Sequence, residues 1–195
     1  MSETSEALTQ WKYQTDKVML YPYVSGEVSG LFNENFLSWL YFETKKQPRN
    51  LIDMVFPAYA KRFDLNDFIV QMKDKPIVVA FKKPDFKVVG YGWLHSVEGD
   101  GTEKKASIGF CFFKDLWGTD ELRDVSNFTA AWWFYELGIK VFYGTILKRN
   151  RLAIRFAHEM GCKSIGDLPD FFFRNGVLED AHLIYMTRES FQAVR

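Results

Sequence analysis

The chain changes its hydrophobic period at Pro76, and that change excludes most folds. Before it, Leu31, Phe36, Leu37, Leu40 and Tyr41 recur at helical spacings, as do Leu51, Met54, Val55, Tyr59 and Phe63 after Pro48. Two or three helices fit between residues 26 and 74, and Pro57 predicts an interruption or kink in the second. After it come β-branched Ile77-Val78-Val79-Ala80-Phe81, turn chemistry at Lys83-Pro84-Asp85, and a strand over Val88 to Leu94. Residues 98–103 (EGDGTE) then close a hairpin onto Ala106 to Phe113, giving an antiparallel meander.

Beyond the meander, helices and strands alternate. Thr119 is placed to cap a helix running to about Leu137, with Leu122, Val125, Thr129 and Trp132 on one stripe and Gly138 as its stop. Val141 to Leu147 follows as a strand and Arg151 to Met160 as a helix ended by Gly161. Phe171 to Phe173 and Ala181 to Thr187 form a last hairpin around Asn175-Gly176. With Lys17 to Val24 as a first strand, the expected fold is a mixed α/β sheet of about seven strands, mostly antiparallel, with at least one parallel contact. The expected organisation is a loose polar tail over residues 1–16 and one domain over 17–195.

Composition narrows the function classes. Twenty-five Lys and Arg balance 25 Asp and Glu, so no global field gathers nucleic acid or an anionic membrane, and neither is expected as a partner. No apolar run approaches the roughly 20 residues that would span a bilayer. Cys111 and Cys162 form no CxxC pair, which points to a reducing cytoplasm. His95, His158 and His182 lie in separate elements without HxxxH or HExxH spacing, so no metal site is expected and each reads as an ordinary half-buried or surface residue. The Trp132-Trp133 pair reads as core rather than a base-stacking platform. Dinucleotide, P-loop and nucleophile-elbow motifs are absent from the sequence.

One ordered set of residues carries chemistry: Ile108-Gly109-Phe110 on a strand, Trp117-Gly118 at a strand-to-helix turn, and Asn150 with Ala153, Phe156 and Gly161 behind it. A strand running through a glycine turn into a helix N-terminus presents unpaired N–H groups and the positive dipole end, which suits a pyrophosphate. In these residues the chain resembles the GNAT superfamily of acetyl-CoA dependent N-acetyltransferases, over roughly residues 76–190. Its Gly-Phe and Trp-Gly spacing is most similar to the branch that acetylates ribosomal-protein N-termini and related amines.

The resemblance implies that the strand at Phe110, Cys111 and Phe112 pairs with the pantetheine arm and that a main-chain N–H near Phe112 polarises the thioester carbonyl. It implies that Trp117, Gly118, Thr119, Asp120, Glu121 and Leu122 wrap the pyrophosphate and that Asn150 hydrogen-bonds the arm or the incoming amine. The helical segment 26–75, with Trp39, Tyr41, Phe42 and Tyr59, is either an acceptor-side wall or core.

The chain departs from the family pattern in two places. The family turn has Arg/Gln-x-x-Gly-x-Gly/Ala, whereas this turn keeps one glycine and adds Asp120 and Glu121. Like charges 4 Å apart repel by about 1 kcal/mol in water and about 4 at an effective dielectric of 20. Either the two acids face the phosphates, with Lys148, Arg149 and Arg151 as compensation, or they cap the helix and face solvent. Where many members place a Tyr acid stands Ala157, and Ser107 replaces a Glu base. His95 and His158 are then the candidates for proton transfer. The expected activity is acetyl transfer from acetyl-CoA to a primary amine of a protein or small molecule. The alternative is a GNAT-fold module without catalysis, held by a protein assembly partner, for example as an internal component of a phage particle.

Overall fold

Strand pairing settles the topology. The computed structural model describes residues 14–23, 34–56, 63–101, 103–174 and 176–192. The strands are β1 (Val18–Tyr23), β2 (Ile77–Lys82), β3 (Lys87–Glu98), β4 (Lys104–Phe112), β5 (Ile139–Leu147), β6 (Lys163–Arg174) and β7 (Val177–Thr187). They form one seven-stranded sheet in the order β1-β2-β3-β4-β5-β7-β6. Every neighbouring pair is antiparallel except β4 and β5, the parallel contact that the intervening helix predicts. Among the described residues six α-helices accompany them: α1 (Glu34–Lys45), α2 (Arg49–Val55), α3 (Leu65–Met72), α4 (Asp120–Tyr135), α5 (Arg151–Glu159) and α6 (Arg188–Gln192).

The sheet separates two cores, and strand alternation assigns residues to them. On β2, Ile77 and Val79 join Leu40, Tyr41, Phe56, Phe68 and Met72 on the α1–α3 face. Val78 and Ala80 join Val125, Trp133, Phe134, Met160 and Ile184 on the α4–α5 face. Trp132 and Trp133 are thus core, as their helical stripe predicts. Tyr41 is core too, while Trp39 and Phe42 are exposed, so the aromatics of the helical segment divide between the two readings.

Several sequence expectations change or fall outside the described residues; the last strand, β7, for one, begins at Val177 rather than Ala181. Strand β6 starts at Lys163, eight residues before the apolar run that announces it, because this edge strand carries exposed polar residues that give no period-2 signal. Thr119 occupies the N-cap position in extended geometry, but its hydroxyl donates backwards to the Leu116 carbonyl at 2.9 Å and makes no side-chain cap. Helix α4 stops at Tyr135, two residues short of Leu137. Val24, Leu31 and the rest of 24–33, Pro57, Tyr59, Asn175 and residues 1–13 of the expected tail lie outside the described residues. None of the described helices is long and apolar enough to cross a membrane.

Candidate active site

The parallel pair is where the sheet opens. β4 and β5 are in register only from Lys104↔Ile139 to Ser107↔Tyr143. Both continue beyond, because β4 stays paired to β3 as far as Phe112 and β5 to β7 as far as Leu147. Their outer partners hold the two strands while the ladder between them ends, leaving a gap lined by backbone. Since the strands are parallel, α4 and α5, which follow them, both begin at the open end of this gap. Crevices at the carboxyl ends of parallel strands are where α/β sheets bind ligands.

The backbone of β4 faces this gap with unused donors. Phe113 N–H donates to the Val89 carbonyl of β3 at 2.8 Å. Strand alternation therefore turns the N–H groups of Phe112 and Phe110 the other way, toward the side without a strand partner. Phe112 also turns its carbonyl there, and the Trp117 indole N–H occupies it at 2.9 Å. This bond ties the turn to the strand and leaves the Phe112 N–H as the group to be satisfied.

Glycines on β3 keep the aromatic rings of β4 off the gap. A Cβ on Gly92 would lie 2.7 Å from the Phe110 ring, and one on Gly90 would lie 3.0 Å from the Phe112 ring. Both rings therefore lie flat over β3, stacked on each other at 5.0 Å. On the opposite face, Trp93 lies over Gly109, whose Cβ would be 2.3 Å from the indole. Cys111 points into the α1–α3 core, where burial pushes its thiol up to about 12, so it offers backbone rather than a nucleophile.

The acidic turn resolves by direction. Gly118 adopts φ +72°, a left-handed conformation that explains why this position keeps its glycine. Glu121 turns to Lys17, just ahead of β1, at 2.9 Å, and that bond holds its carboxyl below the usual range. Asp120 and Asp124 also lie near enough to Lys17 to favour its charged form after Glu121. Arg123 follows Glu121 by two residues, so it projects from the opposite side of α4. Of the basic residues near Asn150, Lys148 is held by Asp167 at 3.1 Å and Asp180 at 3.2 Å. Arg149 is held by Glu179 at 2.5 Å. Arg123 and Arg151, both exposed, have no carboxylate partner among the described residues.

Asn150 is the N-cap of α5: its Oδ1 accepts from the Ala153 N–H at 3.2 Å. His95 is the extra residue of a bulge in β3, opposite the point where the β4–β5 ladder ends. The Trp93 indole donates to its Nδ1 at 3.3 Å, and burial, aided by the charge of Lys75, lowers its pKa to about 4. His158 lies on the other face, toward β6 and β7, where its ring meets His182. The two histidines singled out for proton transfer are therefore not brought together. The glycine and aromatic register of β3 and β4, the Trp117 tie and Arg123 go beyond the residues that the sequence picks out. The alternation of Gly90 and Gly92 with Tyr91 and Trp93, facing Gly109 to Phe112, is the signal for the first.

A family model described as an acetyltransferase (GNAT) domain matches residues 33–163, about two thirds of the chain. The chain belongs to the GNAT acetyltransferase family. Solved structures of similar fold include a spermidine N-acetyltransferase from Vibrio cholerae in complex with CoA and spermine, 17% identical with a TM-score of 0.67, covering 89% of this chain and 98% of that one. A GCN5-related N-acetyltransferase from Brucella melitensis has a TM-score of 0.70 at 14% identity, with coverage of 94% and 81%. The microcin C7 self-immunity acetyltransferase MccE, in complex with acetyl-CoA and AMP, has a TM-score of 0.65 at 18% identity, with coverage of 89% and 93%. No protein of curated function matches the chain by sequence. The mixed seven-stranded sheet with its open β4–β5 pair is thus the GNAT fold in this chain.

Proposed function

We propose that this GNAT domain transfers acetyl from acetyl-CoA to a primary amine by direct attack on the thioester, with the β4–β5 gap as the reaction site. The observation that carries the assignment of the gap is the pair of outward N–H groups at Phe110 and Phe112, on a strand edge cleared of side chains by Gly90 and Gly92. These residues fit acetyl-CoA, whose thioester supplies an acetyl group already activated toward amines. Phe110 offers N–H and C=O to the amides of the pantetheine arm. The Phe112 N–H stabilises the negative charge that develops on the thioester oxygen. The N-terminus of α4, with Gly118 opening the turn and Glu121 drawn to Lys17, receives the pyrophosphate. Arg123 and Arg151 supply the cations that Lys148 and Arg149 do not. Asn150 keeps its Nδ2 for the arm or the amine while Oδ1 holds the helix.

Proton transfer is left to the amine itself. With Nδ1 accepting from Trp93, the neutral His95 ring carries its proton on Nε2 and can donate but not accept there. His95 is thus a donor beside the acceptor entrance, and the amine enters as the free base. The spacing of Gly109-Phe110 and Trp117-Gly118 supports placement beside the ribosomal-protein branch. Residues 17–195 form the domain, and segment 26–75 forms the acceptor side.

The test is release of CoA thiol from acetyl-CoA against a panel of polyamines and N-terminal peptides. Phe112→Pro, which removes the gap-side N–H, is expected to lower kcat by about 10²- to 10³-fold, while Phe112→Leu keeps it. Circular dichroism of both variants checks the fold. No CoA binding at millimolar concentration, together with a protein partner that co-purifies, would replace this reading with the non-catalytic module.

A further inference from the structure

His158, Ser164 and His182 meet on the α4–α5 face beside the β6 edge, apart from the β4–β5 gap. Ser164 Oγ lies 2.8 Å from His182 Nε2 and 3.2 Å from His158 Nε2. The other nitrogen of each ring is already committed. His158 Nδ1 faces the Cys162 carbonyl at 3.0 Å, which can only accept, so this nitrogen carries the proton. His182 Nδ1 faces an Asp167 carboxylate oxygen at 2.7 Å and does the same. In the neutral rings both Nε2 lone pairs therefore converge on one hydroxyl, which has a single proton to give. Ser164 serves the nearer ring, and the second lone pair faces oxygen without a hydrogen between them. While both rings are neutral, that point lacks an electrophile.

We propose that a divalent transition-metal ion of the zinc class binds between His158 Nε2 and His182 Nε2, in the place that the Ser164 hydroxyl now holds. A carbonyl behind one imidazole and a carboxylate behind the other are the outer partners that fix metal-ligating histidines in the required tautomer. Rotation of the exposed Ser164 clears the position, and each ring then moves by about 1 Å to reach a Zn–N distance of about 2.0–2.1 Å. The two imidazoles would be the protein ligands and water would fill the remaining positions; among the described residues no group of three or more His, Cys, Asp or Glu is placed to hold a metal. The distances from Ser164 to His182 to Asp167 also suit an activated hydroxyl. A nucleophile has no use for the second imidazole, which covers Oγ; a cation does.

The experiment is calorimetric titration of the chelator-stripped full chain with Zn²⁺, alongside His158→Gln, His182→Gln, Ser164→Ala and, as control, His95→Gln. The expected result is one equivalent bound, weakened at least about tenfold in the first two variants, unchanged in the control and as tight or tighter in Ser164→Ala. Circular dichroism confirms that each variant folds. Loading with Co²⁺ is expected to give a visible spectrum without a thiolate charge-transfer band, separating this site from Cys111 and Cys162. Equal Zn²⁺ affinity in wild type and both histidine variants, no binding at submillimolar Zn²⁺, or a thiolate band overturns the proposal. So does covalent acetylation of Ser164 by an activated phenyl ester at a rate that Zn²⁺ does not inhibit.

Discussion

His95 shows how one half-buried ring bears on stability. Its folded pKa of about 4 lies below the ordinary 6.5, so the folded chain declines a proton that the unfolded chain accepts. Stability from this group is complete above pH 6.5 and is lost as pH falls from 6.5 toward 4, by up to about 3 kcal/mol. Denaturant unfolding of wild type and His95→Gln at pH 7 and pH 4.5 checks this. The variant is expected to lose about 2 kcal/mol less over that interval, and parallel losses would contradict the assignment. Residue identity in the sequence exposes His95 as a candidate, but its tautomer depends on the Trp93 indole beside it, a contact that only the bulged strand creates.

At the scale of elements, the proposed phosphate site sets charge against charge at the N-termini of α4 and α5. The sequence shows two acids at the start of α4 and three cations around Asn150, and linear order alone cannot say which way each points. Folding sorts them: Glu121 goes to Lys17 at the β1 edge, and Lys148 and Arg149 go to acids of β6 and β7. These partners stand between roughly 20 and 100 residues away in the chain, beyond any local pattern. In the proposed reaction, phosphate binding therefore falls to Arg123 and Arg151. Arg151→Glu is expected to weaken CoA by about tenfold or more, with a smaller effect at high salt. Calorimetry at two ionic strengths measures it, and an unchanged affinity would remove Arg151 from the site. Helices α1, α2, α4 and α5 and most strands are legible from period and punctuation, and α3 only as the third of two or three possible helices, whereas the first half of β6 is not, because an exposed edge strand needs no apolar face.

For the whole molecule, the working feature is one parallel pair in an otherwise antiparallel sheet. Its existence follows from the helix between β4 and β5, which the sequence shows; its premature end at Ser107 and Tyr143 does not, since that depends on how β3 and β7 hold the two strands. The sheet thereby leaves the Phe110 and Phe112 amides unpaired in the middle of the fold, where backbone donors otherwise find partners. Amide hydrogen exchange at single-residue resolution, with and without acetyl-CoA, addresses this directly. Phe110 and Phe112 are expected to exchange readily in the free chain and to become protected on binding, while Cys111, bonded toward β3, stays protected throughout. Acetyl-CoA binding that leaves the Phe110 and Phe112 amides unprotected would contradict the account.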